Sequence, residues 1–316
     1  MPKRVFIDGE SGTTGLVIAN RLHDRPDLEI LRLAPERRKD PAAREDALNS
    51  CDLAILCLPD DAAIEAVGMV ENPAVRVLDA SSAFRTHPDW VFGFSELTEG
   101  QTTLIAEAAR VTNPGCYATG GIALLRPLIE AGALPADAAV MLNAVSGYTG
   151  GGKSLIAAFE DKAAPGYLDT GLYEYGLSFE HKHVPEIRHH SGMAKPPLFV
   201  PSVGRFPRGM LVNLPLQLWD LSKNLSGVEL HRIYQDHYAA KSQVRVRPLL
   251  RLEGKGAGEK IEADGLAGTD FLDIHVVWNP KTEQALVVAQ LDNLGKGACG
   301  AAIQNIGLML GIPDLG

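Results

Sequence analysis

A glycine-rich turn lies between the first apolar run of the chain and its first helical pattern. The run Val5-Phe-Ile7 is followed by Gly9-Glu-Ser-Gly-Thr-Thr-Gly15, and apolar residues then recur at helical spacing up to Leu22. A strand, a turn of this kind and a helix bring the backbone close to a diphosphate, and they direct the free N–H groups of the helix N-terminus at it. This order of elements predicts a dinucleotide-binding turn, whereas the glycines alone would indicate an ordinary tight turn.

Apolar runs and helical patterns alternate through the first third of the chain. Leu53-Ala-Ile-Leu-Cys-Leu58 is apolar on both faces, which is typical of a strand in a parallel sheet between two helical layers. Later segments alternate with the period of two expected of an antiparallel sheet, at Leu211–Leu218, Val244–Arg247 and Asp273–Trp278. A helical pattern, Lys296–Leu310, closes the chain, and the glycine-rich stretch 255–260 predicts a loop. The sequence predicts one domain of residues 1–116 and 293–316, and an inserted α+β domain of residues 117–292.

The charge balance and the cysteine content exclude several classes of protein. The 316 residues include 30 basic and 39 acidic side chains, which give a net charge of -9, and the densest basic run is Arg37-Arg38-Lys39. Such a surface repels nucleic acid. The 4 cysteines include no CxxC pair, which argues against a disulfide scaffold. With no signal peptide and no apolar run long enough to span a bilayer, we expect a cytoplasmic protein with no nucleic-acid or membrane partner.

Two arginines follow the second predicted strand, Leu28–Leu33. Near this point of a dinucleotide-binding fold, an acid binds the ribose 2′-hydroxyl of NAD, whereas an arginine accommodates the 2′-phosphate of NADP. Glu36 is the one acid placed near that position, and Arg37 and Arg38 come directly after it. The sequence favours NADP over NAD, although two arginines in a polar segment are also typical of a solvated surface.

A cysteine follows a Pro-Gly turn and begins a helical pattern, in Asn113-Pro-Gly-Cys116-Tyr-Ala-Thr119. The dipole at a helix N-terminus favours the thiolate, which is the nucleophilic form of the side chain. Cys57 in a predicted strand and Cys299 in the last predicted helix fit the ordinary role of a small buried residue. Cys116 lies in a turn at a predicted domain junction, so we expect it to be a catalytic nucleophile.

Four histidines lie close together, at positions 181, 183, 189 and 190. A thiolate enzyme needs a general acid and base, and a histidine in a loop commonly supplies both. His181 and His183 both fit that role, whereas His189 and His190 are also typical of a surface. Because no cysteine and no His-Glu-x-x-His pattern accompanies them, no metal site is predicted.

The segment Gly147-Tyr-Thr-Gly-Gly-Gly-Lys-Ser154 matches the phosphate-binding loop of nucleoside triphosphatases. The chain already has a dinucleotide turn at its start, however, and no apolar run that ends in a second-motif aspartate follows this segment. We expect that the segment does not bind ATP.

Taken together, these motifs resemble the N-acetyl-gamma-glutamyl-phosphate reductase family, NADPH-dependent enzymes of arginine biosynthesis. The similar blocks occur in the family's order and cover most of the chain: Gly9–Gly15, Asn113–Thr119, Ser146–Lys153, His181–Ile187 and Asp292–Gly297. The short N-terminal half, with Asp79–Arg85 soon after the third strand, is similar to the compact type 2 form. Ala118 departs from the proline of many members, a difference that affects no catalytic residue.

The resemblance implies a Rossmann-like NADP-binding domain with a parallel sheet, and an inserted α+β catalytic and dimerisation domain of the semialdehyde dehydrogenase type. It also implies NADPH as cofactor, an acyl phosphate as the small-molecule substrate, a Cys116 thioester, and a homodimer or homotetramer. It favours His181 over His183 as the acid and base. Cofactor binding is expected at Gly9, Gly12, Thr13, Thr14, Gly15, Arg37, Arg38, Asn293, Lys296 and Gly297. Substrate binding is expected at Arg85, Asn113, Tyr175 and His183, with Arg85 on the phosphate.

Three other functions are alternatives to this one. Aspartate-semialdehyde dehydrogenase shares the two-domain plan and the thiol chemistry, and it is the nearest alternative. A non-catalytic NADP-binding protein would share the first domain alone. A short-chain reductase is disfavoured because no Tyr-x-x-x-Lys occurs in the chain.

Overall fold

The computed structural model describes residues 1–222, 225–240, 243–253, 259–312 and 315. The chain divides into two compact units, the first made of residues 1–95, 99–115 and 298–316, and the second of residues 96–98 and 116–297. Residues 255–258 of the predicted glycine-rich loop lie outside the described residues.

The first unit is built around a six-stranded parallel sheet. Its strands are β1 (Lys3–Asp8), β2 (Leu28–Leu31), β3 (Leu53–Leu56), β4 (Arg76–Asp79), β5 (Val91–Phe92) and β6 (Arg110–Thr112). Its helices are α1 (Thr13–Leu22), α2 (Pro41–Asn49), α3 (Asp60–Gly68), α4 (Gln101–Glu107) and α9 (Gly300–Leu310). The strand order is β2-β1-β3-β4-β6-β5. Because β2 and β3 lie on opposite sides of β1, the order in which the strands are added reverses next to β1. Ligands of open parallel sheets bind at such a reversal, beyond the carboxyl ends of the strands.

Apolar side chains on both faces of β1 and β3 explain why this sheet is covered on both sides. Val5 and Ile7 pack with α1, α4 and α9 on one face, while Phe6 packs with α2 and α3 on the other. Leu53 and Ile55 are likewise buried on the first face. The prediction of a parallel sheet between helical layers is confirmed.

The second unit contains a mixed eight-stranded sheet. Its strands are β7 (Met141–Gly147), β8 (Leu172–Glu174), β9 (Leu198–Gly204), β10 (Met210–Gln217), β11 (Val244–Val246), β12 (Leu250–Arg251), β13 (Leu272–Asn279) and β14 (Gln284–Leu291). Its helices are α5 (Cys116–Glu130), α6 (Gly152–Glu160), α7 (His183–Ser191) and α8 (Gly227–Tyr238). The strand order is β11-β13-β14-β10-β7-β9-β8, and β12 also pairs with β13.

Two details of this region differ from the sequence prediction. The β10–β14 and β13–β14 pairs are antiparallel as expected, but β11 pairs with β13 in parallel. Alternation of apolar and polar residues shows which face of the sheet a side chain occupies, but it does not show the direction of the strand. The antiparallel prediction for β11 was therefore wrong. The last helix also begins later than predicted, because Gly295–Cys299 form a π-helical turn before α9.

Helices α5 and α8 cover one face of the second sheet. The hydroxyl of Tyr234 donates to Leu124 O at 2.7 Å, and that of Tyr238 donates to Ala123 O at 3.0 Å, which fixes α8 against α5. Ser226 and Glu229 form a reciprocal cap at the start of α8. The position of Cys116 is thereby set by a helix that is packed on two sides. Among the described residues, no helix is both long and apolar enough to cross a bilayer.

Candidate active site

The predicted dinucleotide turn connects β1 to α1. Gly9 has a φ of +87°, and a Cβ there would lie 2.3 Å from Cys57 O. A Cβ at Gly15 would lie 2.4 Å from Gly9 O, while Gly12 N donates to Gly9 O at 2.9 Å. Gly12 caps α1 without a side-chain hydrogen bond, so the first-turn N–H groups, which include those of Thr13 and Thr14, receive no side-chain cap. A tight backbone with uncapped helix N–H groups suits a diphosphate.

A cavity of about 500 Å³ adjoins this turn within the first unit. Arg38, Lys39 and Arg44 line it, together with Glu36. Arg44 is held by the buried Asp8 carboxylate, which accepts from its Nε at 3.1 Å and from its Nη2 at 3.0 Å. The first unit thus fits a dinucleotide, because the glycine turn admits the diphosphate and the adjacent cavity is lined by three cationic side chains as well as by Asp8, Glu10 and Glu36.

The structure separates the two arginines that the sequence pairs. Arg38 lines the cavity, whereas Arg37 is not among its lining residues in the described chain. Arg37 lies in the short 3₁₀ turn Pro35–Arg37, and its Nη2 contacts Asp40 Oδ2 at 3.4 Å. The role of each arginine stays a prediction. Its position at the cavity favours Arg38 over Arg37 as the residue that binds a 2′-phosphate.

Asn113 is built into the turn that precedes Cys116. Its side chain is buried, its Nδ2 donates to Ala298 O at 3.0 Å, and its Oδ1 accepts from Asn305 Nδ2 at 3.1 Å. These bonds within the first unit fix the turn. Binding of substrate by Asn113 stays a prediction.

Cys116 is the first residue of α5 and is partly buried. Gly297 packs directly against it, since a Cβ at Gly297 would lie 2.8 Å from the Cβ of Cys116. The other three cysteines lie in different surroundings: burial raises the pKa of Cys51 to about 11 and that of Cys57 further, and Cys299 is fully buried. Thiols buried in this way are poor nucleophiles.

His181 lies directly before α7, beside two tyrosines of the second unit. Its Nδ1 accepts the backbone N–H of His183 at 3.1 Å, and its Nε2 lies 3.3 Å from the hydroxyl of Tyr175. A neutral imidazole carries one proton, so this arrangement puts the proton on Nε2 and directs it at Tyr175. The ring of Tyr117 packs edge-on against His181 at 6.0 Å and near His183 at 5.9 Å.

Tyr117 directly follows Cys116 in the chain, so its packing against His181 brings this group near the nucleophile. Burial raises the pKa of Tyr175 and of Tyr117, and the charge of the Cys116 thiolate raises both further. The Tyr117 hydroxyl donates to Ser202 O at 2.8 Å. His189 and His190 pair with each other in α7. In the part of the chain that the structure describes, no cluster of three or more His, Cys, Asp or Glu side chains could hold a metal ion.

The glycine-rich segment after β7 is engaged with the chain itself. Gly147 N donates to Gly209 O, Tyr148 N to Phe206 O, and Thr149 N to Pro207 O. These bonds hold the first three residues of the segment against residues 206–209, and the expectation that it does not bind ATP stays a prediction.

Lys296 occupies a position that the sequence does not predict. It is fully buried, and its Nζ lies 2.9 and 2.7 Å from the two Glu96 oxygens and 3.1 Å from Gln243 Oε1. Burial lowers the pKa of Lys296, and the Glu96 carboxylate opposes that shift. The pair therefore holds the turn that carries Gly297, and cofactor binding by Lys296 stays a prediction.

Asn293 lies beside the same turn and bridges two segments. Its Oδ1 accepts from Gly209 N at 2.9 Å, and its Nδ2 donates to Thr149 Oγ1 at 3.0 Å. The sequence prediction missed Glu96 and Arg208, which contact this region. Arg208 Nη2 lies 2.6 Å from Oδ2 of the buried Asp292. The turn Phe-Pro-Arg208-Gly between two strands is the one local signal that could have indicated Arg208.

Arg85 is buried in the first unit, and its Nη2 donates to Ala80 O at 3.2 Å. Burial raises the pKa of the neighbouring Asp79, while hydrogen bonds from Ser81 and the charge of Arg85 lower it. A buried guanidinium of this kind suits an anionic ligand. Phosphate binding by Arg85 stays a prediction.

Two family models match the chain in succession. The model described as the semialdehyde dehydrogenase NAD binding domain matches residues 4–105, and the model described as the semialdehyde dehydrogenase dimerisation domain matches residues 116–293. The first unit is therefore an NAD(P)-binding domain, and the protein is an oxidoreductase.

Curated relatives match over nearly the full chain. An N-acetyl-gamma-glutamyl-phosphate reductase of Burkholderia cenocepacia is 53% identical, with 97% of each chain covered. One of Brucella suis is 51% identical, with 98% of this chain and 100% of the relative covered. N-acetyl-gamma-glutamyl-phosphate reductase 2 of a Nostoc species is 49% identical, with 98% of each covered.

Solved structures of lower sequence identity share the fold. Aspartate semialdehyde dehydrogenase II of Vibrio cholerae, complexed with ASA, has a TM-score of 0.70 at 15% identity, with 98% of each chain covered. Aspartate semialdehyde dehydrogenase of Candida albicans, solved with NADP, has a TM-score of 0.62 at 13% identity, with 100% of each covered. With a semialdehyde dehydrogenase fold and relatives that are about half identical over the full chain, this protein belongs to the N-acetyl-gamma-glutamyl-phosphate reductase family.

Proposed function

We propose that the protein reduces N-acetyl-L-glutamyl 5-phosphate to N-acetyl-L-glutamate 5-semialdehyde and phosphate with NADPH, in cytoplasmic arginine biosynthesis. The observation that carries this proposal is the placement of Cys116 at the N-terminus of α5, where Gly297 packs against it and the ring of the next residue, Tyr117, packs against His181. Relatives with that printed name at about half identity support the choice of substrate. Aspartate semialdehyde is the alternative substrate, which the solved neighbours support at the level of fold alone.

Covalent catalysis by Cys116 suits an acyl phosphate. Its thiolate attacks the acyl carbon, the C–O bond to phosphate breaks, and a thioester to Cys116 remains. NADPH, when bound at the glycine turn Gly9–Gly15, would supply the hydride that reduces this thioester. The resulting thiohemiacetal then collapses, which releases the semialdehyde and restores the Cys116 sulfur. A thioester accepts hydride more readily than a carboxylate, and the covalent bond holds the acyl group between steps.

His181 moves the proton that this cycle needs. It takes the proton of the Cys116 thiol and returns a proton to the oxygen of the thiohemiacetal. We further propose that Tyr175 and His183 contact the substrate, that Arg85 binds its phosphate, and that Asn293 and Gly297 lie at the nicotinamide.

The reverse reaction tests the proposed function directly. Purified protein is supplied with N-acetylglutamate semialdehyde, inorganic phosphate and NADP, and NADPH formation is followed by absorbance. We expect turnover that requires phosphate, since phosphate must cleave the thioester. Phosphate-dependent turnover with aspartate semialdehyde in place of the acetylated substrate would support the alternative enzyme. No turnover with either would contradict both.

Preference for NADP is a first prediction, and Arg38 is the residue on which it depends. The Arg38→Ala variant should bind NADP about tenfold to a hundredfold more weakly, because a charge-assisted hydrogen bond to the 2′-phosphate is worth about 1.5–3 kcal/mol. Its affinity for NAD, which lacks that phosphate, should stay the same. Fluorescence titration of both cofactors measures the ratio.

Two further variants define what that result means. Arg37→Ala should change the ratio less than Arg38→Ala, because Arg37 is paired with Asp40 outside the cavity. Arg4→Ala is the surface control, because Arg4 is a half-exposed arginine on β1 that is not among the residues lining the cavity. An unchanged ratio in the Arg37→Ala/Arg38→Ala double variant would show that neither arginine sets the preference.

We also propose that the open face of the second sheet is the homodimer interface. Met141 of β7 lies opposite Leu198 of β9. Leu286 of β14 lies between Pro215 of β10 and Val277 of β13. The registers place these residues on one face, where Met141, Leu198 and Leu286 remain 40%, 45% and 36% exposed. Apolar sheet faces of this kind are commonly covered by a partner. The family model over this region, described as a dimerisation domain, supports a second copy as that partner.

A charge on this face should disrupt the dimer. We expect the wild-type protein to elute at the mass of a dimer or a larger assembly, and Leu286→Arg to shift the mass towards the monomer, because the arginine would be buried without a partner. Light scattering after gel filtration measures this mass. Leu177→Arg is the matched control, since Leu177 is 65% exposed and lies outside the sheet. A monomeric wild type, or an equal shift in both variants, would contradict the assignment.

A further inference from the structure

We infer that Arg208 binds an oxyanion of the substrate in the second unit, so that it orients the acyl group at Cys116. This inference rests on the proposed function, because the proposed acyl phosphate carries two such groups, an α-carboxylate and a phosphate. Each of them offers two oxygens that a guanidinium can bind through paired N–H donors. The experiments below separate the two groups.

The Arg208 side chain is anchored on one side and has an unused donor. Its Nη2 contacts Asp292 Oδ2 at 2.6 Å, with Arg208 38% exposed and Asp292 fully buried. Its Nε–H is buried and has no hydrogen-bond partner among the described residues. A buried N–H of a charged group without a partner is unfavourable, and such sites occur where a ligand completes the bonding.

Asp292 has other donors besides Arg208. Its Oδ1 accepts from Leu294 N at 2.9 Å, and its Oδ2 accepts from Gly268 N at 2.6 Å. The carboxylate is therefore bonded by the backbone on both oxygens, and its contact with the guanidinium is not the two-bond fork that arginine and carboxylate form when they satisfy each other. Asp292 orients Arg208 and leaves donor capacity for a second anion.

The backbone around Arg208 is held on two sides. Pro207 O accepts from Thr149 N, Gly209 O accepts from Gly147 N, and Gly209 N donates to the side chain of Asn293. A Cβ at Gly147 would lie 2.8 Å from Arg208 N, so the two segments are in close contact. A guanidinium on so constrained a turn suits a fixed binding point, since little conformational freedom is lost when the ligand binds.

A short series of contacts connects Arg208 to the nucleophile. The side chain of Asp292 contacts Arg208. Its backbone oxygen accepts a hydrogen bond from Gly297 N at 3.0 Å. Gly297 in turn packs against Cys116. Arg208, Asp292, Gly297 and Cys116 therefore form one contiguous group within the second unit, which is where an anchor for the acyl group of the substrate is needed.

The reverse reaction separates the two oxyanions, because the semialdehyde carries the carboxylate and phosphate is a second substrate. We expect Arg208→Gln to raise the KM of one of them by about tenfold or more, with the KM of NADP unchanged. A raised KM for the semialdehyde assigns the carboxylate, and a raised KM for phosphate assigns the phosphate. Arg208→Lys should recover part of the loss, because it keeps the charge and loses the planar fork.

Arg245→Gln is the matched control for a merely structural role. Arg245 also contacts a buried aspartate, Asp273, at 2.5 Å, and its exposure of 36% is close to that of Arg208. Both variants should lower the melting temperature, but Arg245→Gln should leave every KM unchanged. Equal KM values in wild type and Arg208→Gln would overturn the inference, as would a change confined to the KM of NADP.

Binding measurements keep this inference separate from the proposed function. If the wild type turns over neither semialdehyde, the proposed function is wrong, and titration calorimetry with N-acetylglutamate and with inorganic phosphate then decides about Arg208. Binding of either anion that is weakened about tenfold in Arg208→Gln and kept in Arg245→Gln supports an oxyanion site. Equal affinities in all three proteins contradict it.

Discussion

Replacing Cys116 with serine is expected to lower kcat by about 10⁴-fold or more, while the affinity for NADPH stays the same. A hydroxyl is almost fully protonated at neutral pH, whereas a thiol at a helix N-terminus has an accessible thiolate. Nothing in the solvent can replace the sulfur, because the acyl group must stay bound to the protein until it is reduced. Turnover in the reverse assay and fluorescence titration of NADPH measure the two quantities.

The comparison with another cysteine shows whether this loss is specific. Cys51→Ala removes a buried thiol whose pKa is raised to about 11, so kcat should change by less than about twofold. Cys116→Ala should be as inactive as Cys116→Ser, and both should melt near the wild-type temperature. Near-normal turnover in Cys116→Ala would contradict the entire mechanism.

The parallel sheet of the first unit could be predicted because the information is local. Residues 53–56 are apolar without alternation, and helical patterns follow the strands, which together require a sheet buried on both faces. The second sheet was harder to predict. The alternation of Val244–Val246 is compatible with either strand direction, and pairing with a strand nearly thirty residues later decides it.

The candidate site shows the same contrast between local and distant information. Cys116 could be found because Pro114-Gly115 and the following helical pattern place it at a helix N-terminus. The buried pair of Lys296 and Glu96 could not, because its partners are 200 positions apart in the chain. In the sequence, a lysine between two glycines indicates an exposed side chain that binds a ligand, because lysine is rarely buried without a paired charge. Here the paired charge exists.

Arg37 and Arg38 show a further limit of sequence analysis. Arg37 is the last residue of a short 3₁₀ turn and Arg38 follows it, and the composition of the segment does not reveal which of the two lines the cavity. In this chain Asp40, three residues after Arg37, accepts from Arg37 and also caps α2. That local bond leaves Arg38 at the cavity.

Replacing His181 with asparagine is expected to lower kcat by roughly 10²–10³-fold, a smaller loss than that of the Cys116 variants. Water or buffer can replace a proton donor in part, which is why activity should remain. The pH profile of kcat/KM should also lose the limb that the imidazole contributes. Reverse-reaction rates from pH 6 to pH 9, measured at about half-unit steps, check both expectations.

Alkylation of Cys116 by iodoacetamide separates the two halves of the proton transfer. The alkylation rate depends on the thiolate, whereas turnover also needs a proton at the oxygen of the thiohemiacetal. The position of Cys116 at the N-terminus of α5 favours the thiolate without help from His181. We therefore expect the alkylation rate of His181→Asn to fall by less than about tenfold while turnover falls much further. An equal fall in both would make His181 chiefly the base.

His183→Asn tests the choice between the two histidines. The contribution of His183 to His181 is a backbone N–H, which asparagine keeps, so the orientation of His181 should survive the substitution. If His183 contacts the substrate, its loss should raise KM more than it lowers kcat, whereas loss of His181 should act mainly on kcat. Full activity in His181→Asn together with a large loss of kcat in His183→Asn would move the proton transfer to His183. The Nε2 proton directed at Tyr175 would then be a structural hydrogen bond and not part of the reaction.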